Sequence, residues 1–475
     1  MSDFKKKIEQ LKKEREARSR KQKTRRDFTW SEPEKKSDDT DEFPSVSGKT
    51  GVEPKAQRVR ETWETINKGN ALSTREKLQQ LINLTRSDKT KESHTPRREP
   101  QEREPLKLIE NPFPLNTRYG KVTLSSALDI KGDVLACLSK DDSFRDIDLS
   151  TALFIDLETT GLSGGTGTVP FNIGMGYFRD DSFWVVQYFL GELAEEERMI
   201  QELEDFFRTM DFQSVVTYNG KNFDIPLLET RFILHRRPFP LGNLPHLDFL
   251  YPARSLWRHK HDNCRLSHLA HEVVRTGRTE DIPSAEIPWR YFQYLQTGNY
   301  DLIEPVIYHN QEDILSLLGV VIMGALIFSE EGEECPADAM DFYGAGKVME
   351  KIGDVEKSVR YYERALGGSL SDEVVIEAKK KLSYHFKRNE EWEKAISLWK
   401  EVMSLEVFSA QHLFSFREMA MYLEHKERNY DEAKKIAEEG YVLSLNTSSY
   451  YEDDFKHRME RLKQKISAKS EPEKE

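Results

Sequence analysis

Between Asn111 and Phe328 the apolar residues follow a fixed order of periods, with three strand-like runs, one helical segment, a fourth strand-like run and then further helices. The strand-like runs are Ala152 to Asp156, Phe171 to Phe178, Trp184 to Phe189 and Ser214 to Tyr218. Glu195 to Met210, Ile225 to His235 and Glu312 to Ile327 repeat at helical spacing. Few folds accept that order. Three consecutive strands favour an antiparallel meander, and a strand reached through a helix adds in parallel. The pattern predicts an α/β domain over residues 106–330, a mixed sheet with flanking helices packed on it. The stretch NPFPLNTRYGKVTLS supplies a further edge strand.

With 475 residues, the chain exceeds what one compact core normally organises. Before the α/β domain, residues 1–105 are rich in Lys, Arg, Glu, Ser, Thr and Pro and have too few apolar residues to offset the entropy of ordering, so they read as a mostly disordered arm. One short helix is signalled inside it, by Ser73 and Glu76 as a capping box and by Leu78, Leu81 and Ile82 at helical spacing. Charge is segregated. The whole chain carries a formal −12, yet residues 1–26 hold twelve Lys/Arg against four Asp/Glu. Such a basic arm can add salt-sensitive, non-specific affinity for nucleic acid, although a run of charge also serves as a plain solvated tail.

Beyond residue 337 the texture becomes all-helical and repetitive. VEKSVRYYERAL from Val355, WEKAISLWKEVM from Trp392 and YDEAKKIAEEGY from Tyr430 align at spacings of 37 and 38 residues. Ser358, Ala395 and Ala433 match in that register, and Gly346 and Ser383 stand twelve residues before the first two. Residues 337–466 therefore read as helical repeats similar to tetratricopeptide repeats and forming a separable unit, with a generic helical bundle as the alternative. Tyr361, Tyr362, Trp392, Trp399 and Tyr430 belong to the core of these repeats. Residues 467–475 form a charged tail. No apolar run reaches membrane-spanning length and the N-terminus lacks a secretory signal, so a cytoplasmic protein with no membrane partner is expected. Cys137, Cys264 and Cys335 are too widely spaced for a disulfide framework or zinc cluster, and His235, His246, His259, His261, His268 and His271 fit no usual ligand spacing.

Three segments bear on chemistry. In LFIDLETTGL, Asp156 and Glu158 end an apolar strand, and alternation projects both carboxylates from one face. Two neighbouring carboxylates repel unless a cation lies between them, a need that a hard divalent ion meets. The turn Thr159-Thr160-Gly161 lets backbone approach closely. A solvated strand end also accounts for a lone D-x-E. In VVTYNGKNFDIPLL, Asp224 follows an apolar strand and the Asn219-Gly220 turn, at the start of a helix that it could simply cap. In IYHNQEDILSLLGVV, Asp313 opens an apolar helix and His309 lies four positions earlier, on the same face if the helix reaches that far. Helix capping by Asp313 and an ordinary surface histidine are the plain alternatives.

Together the three segments resemble the Exo I, Exo II and Exo III motifs of DEDD-type 3'-5' exonucleases of the ribonuclease-H-like superfamily. The similarity is greatest to a bacterial YprB-like branch that joins such a domain to tetratricopeptide-like repeats. The resemblance implies a metal-dependent 3'-5' exonuclease in which Asp156, Glu158, Asp224 and Asp313 hold two divalent cations, Mg²⁺ or Mn²⁺. Thr159, Thr160 and Gly161, with Asn219 and Phe223, fall where substrate is bound. Histidine-type members show H-x(4)-D and tyrosine-type members Y-x(3)-D, whereas here three residues separate His309 from Asp313 and four separate Tyr308 from it. We assign His309 as the general base for its near-neutral intrinsic pKa, with Tyr308 the alternative. DNA as the nucleic acid, a role in DNA repair and a protein partner at the repeats such as a helicase are what the resemblance implies. The rival reading is a catalytically inactive ribonuclease-H-like scaffold that binds nucleic acid or protein.

Overall fold

The computed structural model describes residues 104–161, 167–277, 282–328, 337–405, 409–445 and 447–470. The arm to residue 103 with its Ser73 helix signal, Cys335 and the last five residues of the tail lie outside the described residues. In order, the first part of the chain forms β1 (Leu106–Pro114), a small hairpin of β2 (Arg118–Tyr119) and β3 (Val122–Thr123), α1 (Gly132–Ser139), β4 (Ala152–Thr159), β5 (Pro170–Arg179) and β6 (Ser182–Leu190). Then come α2 (Glu196–Met210), β7 (Ser214–Thr217), α3 (Asp224–Leu234), β8 (His246–Asp248), α4 (Leu250–Trp257), α5 (Ile287–Thr297) and α6 (Glu304–Leu326), with shorter helical turns between.

Six strands make one mixed sheet in the order β1-β6-β5-β4-β7-β8. β4, β5 and β6 form the antiparallel meander that their spacing predicts, β1 closes one edge antiparallel to β6, and β7 and β8 add parallel beyond β4. Alternation along β4 sends Leu153, Ile155 and Leu157 into a core with α2, α3 and α5. Ala152 and Phe154 enter a second core with α1, α4 and most of α6. Asp156 and Glu158 share the parity of Phe154, which puts both carboxylates under α6.

The edge strand starts at Leu106, ahead of the stretch expected to supply it, and two further differences bear on the site. α6 begins at Glu304 rather than Glu312, with Pro305 in its first turn, so Asp313 sits within the helix instead of opening it. The apolar period hides this start because His309 and Asn310 are polar yet buried. β8 escaped notice since only three residues long and running almost directly into α4, it offers neither alternation nor a turn signal.

The helical region comprises α7 (Ala339–Ile352), α8 (Val355–Leu366), α9 (Asp372–Arg388), α10 (Trp392–Met403), α11 (Leu413–His425), α12 (Tyr430–Ser444) and α13 (Ser449–Ser470). Its three aligned segments are the second helices of successive pairs. Ser358 donates its hydroxyl to the Gly346 carbonyl at 3.0 Å, and a Cβ on Gly346 would stand 2.8 Å from the Tyr362 ring, so small residues at these points let α7 and α8 meet. α13 continues through 467–470, past the boundary expected for the charged tail, and Lys465 and Lys469 stand over the Tyr430 ring. No described helix is long and apolar enough to cross a membrane.

The sheet domain and the helical region share one core in addition to their covalent link. Leu256 and Trp257 of α4 join Phe342 and Tyr343 of α7 in a continuous apolar cluster. The buried Asp341 accepts from Trp257 Nε1 at 3.1 Å and from Lys260 Nζ at 2.9 Å. Gly344 marks the closest approach: a Cβ there would lie 2.2 Å from the Leu256 carbonyl oxygen, and backbone cannot swing aside as a side chain can. Gly344→Ala should therefore separate α4 from α7 and destabilise the protein by about 1–3 kcal/mol, read as a lowered urea midpoint. An unchanged midpoint would mean that the two helices are not held this tightly.

Candidate metal and catalytic site

Each acidic residue is delivered by a different piece of local structure. β4 carries Asp156 and Glu158 to the carboxyl end of the strand, where pairing with β5 shifts register between Glu158 and Thr159. The chain then turns out of the sheet. Thr159 Oγ1 donates to the Gly161 carbonyl at 2.7 Å, and the Thr160 amide and hydroxyl bond the Val169 carbonyl and amide, both at 3.0 Å. These threonines thus shape the turn with groups the sequence reading reserves for substrate. A Cβ at Gly161 would meet only ordinary contact, so space alone does not require glycine there.

α6 faces that strand end. His309 Nε2 lies 3.3 Å from Asp313 Oδ2 and 3.7 Å from Glu158 Oε1, and ligand atoms of these three residues all fall within 4.8 Å of one another. Among the described residues no other three His, Cys, Asp or Glu side chains bring ligand atoms that close. Tyr308, one position away on the helix, is 55% exposed, while His309 is 9% exposed. Asp156 is held from above by Asn310, whose Nδ2 donates to the Asp156 carbonyl at 3.1 Å and to its carboxylate at 2.8 Å.

Asp224 is the first residue of α3 rather than its cap, which is Phe223 without a side-chain bond. Its carboxyl is pushed well above the ordinary carboxylate range, first by removal from water and then by the like charges of Asp156 and Asp248, against the pull of backbone amides at Asp224 and Leu157. Asn219 takes a left-handed backbone at φ +69°. Its amide donates to Asp248 Oδ1 at 2.7 Å, and the Lys221 amide donates to Asp248 Oδ2 at 3.1 Å. The Phe223 ring is 54% exposed beside this loop.

Sequence reasoning passed over four residues that stand at the site. Asn310 lies inside the third motif but ahead of the helix expected from Glu312, and Gln187, whose Nε2 donates to Asn310 Oδ1 at 2.8 Å, carries no motif at all. Asp248 stands in the short β8; a lone acid closing an apolar run before a helix was the available signal. Asn172 is a further one: it pairs across the strands with Glu158, is fully buried, and neither its Oδ1 nor its Nδ2 has a hydrogen-bond partner. The carboxylates of Glu158 and Asp313, converging near a buried unpartnered amide, fit a hard divalent cation by their oxygen donors, with the His309 imidazole within reach of both. His246 Nε2 meets Thr217 Oγ1 at 2.8 Å, its ring held down to about 4 by burial and then Lys221, and the His261 and His268 rings lie edge to face at 5.7 Å. Burial pushes the Cys137 and Cys264 thiols up.

A mixed sheet bearing acids on its central strand and on the facing helix defines the chain as a ribonuclease-H-like protein, and the ribonuclease H superfamily model matches residues 153–323, from β4 through most of α6. The uncharacterized protein YprB of Bacillus subtilis (strain 168) is 30% identical over 364 residues, 75% of this chain and 85% of the relative. The chain belongs to the ribonuclease-H-like family of that protein.

The Asp224 shift has a measurable sign. A carboxyl whose pKa is raised by folding contributes stability below its ordinary value of 3.8, and that stability is lost as pH rises through the folded value. In chelator, Asp224→Asn should therefore be more stable than wild type at pH 8, with the advantage shrinking to nothing as pH approaches the ordinary carboxyl range. A difference independent of pH, in denaturation followed from acid to alkaline buffer, would show that Asp224 is not the strained charge.

Proposed function

We propose that the protein is a metal-dependent 3'-5' exonuclease that hydrolyses phosphodiester bonds of nucleic acid, with DNA the substrate and repair the setting that the family resemblance favours. The observation that carries this reading is the convergence of Glu158, His309 and Asp313, drawn from two distant motifs, with Asp156 and Asp224 coupled by charge next to them. Asp156, Glu158, Asp224 and Asp313 would hold two divalent cations, Mg²⁺ or Mn²⁺. When bound, such ions supply Lewis acidity to the attacking water and to the leaving 3' oxygen.

The chain's own groups do the rest. His309 takes the proton of the attacking water on its imidazole, oriented by the carboxylate of Asp313 one turn along α6. Asn310 fixes the Asp156 carboxylate through its two hydrogen bonds. The backbone at Thr159, Thr160 and Gly161 lets the terminal nucleotide approach the strand end, and Asn219 and the Phe223 ring contact sugar and base. The buried polar network that fixes the Asp156 carboxylate favours an enzyme over an inactive scaffold, which has no use for acids held in one geometry.

Labelled single- and double-stranded DNA and RNA, incubated with Mg²⁺, Mn²⁺ or chelator, provide the test. Metal-dependent release of mononucleotides from the 3' end is expected, and Asp156→Ala, Glu158→Ala, Asp224→Ala and Asp313→Ala should each abolish it. His309→Ala should slow turnover by about 10²- to 10⁴-fold with metal binding retained, while Tyr308→Phe stays near wild type. No cleavage of any substrate with any metal would leave the inactive scaffold standing, and the opposite ranking of the last two variants would make Tyr308 the base.

A further inference from the structure

Next to the Asn219–Lys221 loop the sheet domain and the helical region enclose a hollow of about 170 Å³ lined by Lys140, Lys221, Asp248, Tyr251 and Ser255 and, on its apolar side, by Leu138, Pro252 and Val348 of α7. Lys140 ends α1, Lys221 lies three residues before Asp224, and Lys351 of α7 reaches the rim, where its Nζ is 3.4 Å from Ser255 Oγ. All three lysines are exposed, and among the described residues none forms an ion pair. The one acid in the lining, Asp248, is 3% exposed and its oxygens are engaged by the amides of Asn219, Lys221 and Leu250. Asp141 acts on Lys221 only at longer range. Hydroxyl groups fill the space between the charges, and Tyr251, 46% exposed, accepts from Asn222 Nδ2 at 3.0 Å. Further along the junction the His259 ring is pushed down first by burial and then by Lys347, Arg258 and Lys351, against the pull of Glu377.

We infer that this hollow is a phosphate-backbone subsite, which holds the nucleic-acid strand a few nucleotides away from the bond being cut. The inference rests on the proposed nuclease reading. Its chemistry is that of backbone binding: ammonium and hydroxyl donors from Lys140, Lys221, Tyr251 and Ser255 stand over an apolar wall, at a position joined through Lys221 and Asp248 to the loop that carries Asp224. A strand whose end lies among four carboxylates meets like charge there, and cations set just beyond it offset that repulsion without sitting in the metal site. The helical region thereby contributes directly to substrate binding through Val348 and Lys351.

Binding in chelator separates this subsite from catalysis. Fluorescence anisotropy of a labelled single-stranded oligonucleotide, titrated with full-length protein over a series of salt concentrations, is the readout. The variant carrying Lys140→Ala, Lys221→Ala and Lys351→Ala should bind about tenfold or more weakly, and its slope of log K against log salt should fall by about 2, as removal of three single-strand phosphate contacts requires. Lys351→Glu alone should also weaken binding in chelator. Equal affinity and equal slope for wild type and the triple variant, both folded by circular dichroism, would overturn the subsite and leave the exonuclease reading intact. Lysine-dependent binding by a protein that cleaves nothing would support the subsite and defeat the exonuclease. A wild type that binds no oligonucleotide overturns the subsite outright.

Discussion

How closely α6 lies on the sheet decides whether this protein has a site at all. Asp156, Gly174 and Gln187 stand in register across three neighbouring strands, and the fully buried Asn310 spans that row, donating to Asp156 and accepting from Gln187 Nε2 at 2.8 Å. It passes directly over Gly174, where a Cβ would fall 2.1 Å from Asn310 Oδ1. Gly176 repeats the device two residues on, its absent Cβ leaving room for Ile314 at 2.6 Å. The helix is thus seated by glycines and locked by an amide that leaving unmade would cost about 1–3 kcal/mol per buried group. His309 and Asp313 inherit their distance to Glu158 from that seat.

Buried charge is handled in two opposite ways within one chain. At Glu424, whose carboxylate is buried in the helical region, burial alone would raise the pKa, but the hydrogen bonds and charges of Arg461 and Lys465 hold it down to about 2. The acid is structural and the fold supplies its cations. At Asp224 the charged neighbours are acids, Asp156 and Asp248, and the carboxyl is pushed up instead. Folding has gathered like charges where it gathers opposite ones elsewhere, which is the electrostatic condition a divalent cation relieves.

The sequence disclosed the sheet because short, nearly continuous apolar runs bounded by turn residues mark strands buried on both faces, as in β4 and β5. The starts of α8, α10 and α12 at Val355, Trp392 and Tyr430 were legible for the same kind of reason, since repetition restates one pattern three times. The two acids of β4 could be paired by alternation alone. The start of α6 could not, because the residues that face the sheet there are His309 and Asn310, and a polar inward face reads as a loop. Gln187 and Asn172 were invisible for a related reason: each is a polar residue inside an apolar strand, Gln187 explained only by its bonds to α6 and Asn172 left without a partner.

The separable appearance of the helical repeats comes from their period, and period says nothing about docking. Gly344 brings α7 against α4, and α4 follows within two residues of Asp248. Asp248 in turn fixes the amides of Asn219 and Lys221, and the loop they belong to leads straight into Asp224. Each step is a buried contact or a short hydrogen bond, so the position of the first repeat helix and that of the second acidic motif are set by one continuous piece of packing. Rigid packing of this kind transmits placement rather than switching, since no second arrangement of these elements is needed to explain it. The repeats are therefore part of what holds the acidic loop at the sheet end, whatever else their outer surface engages.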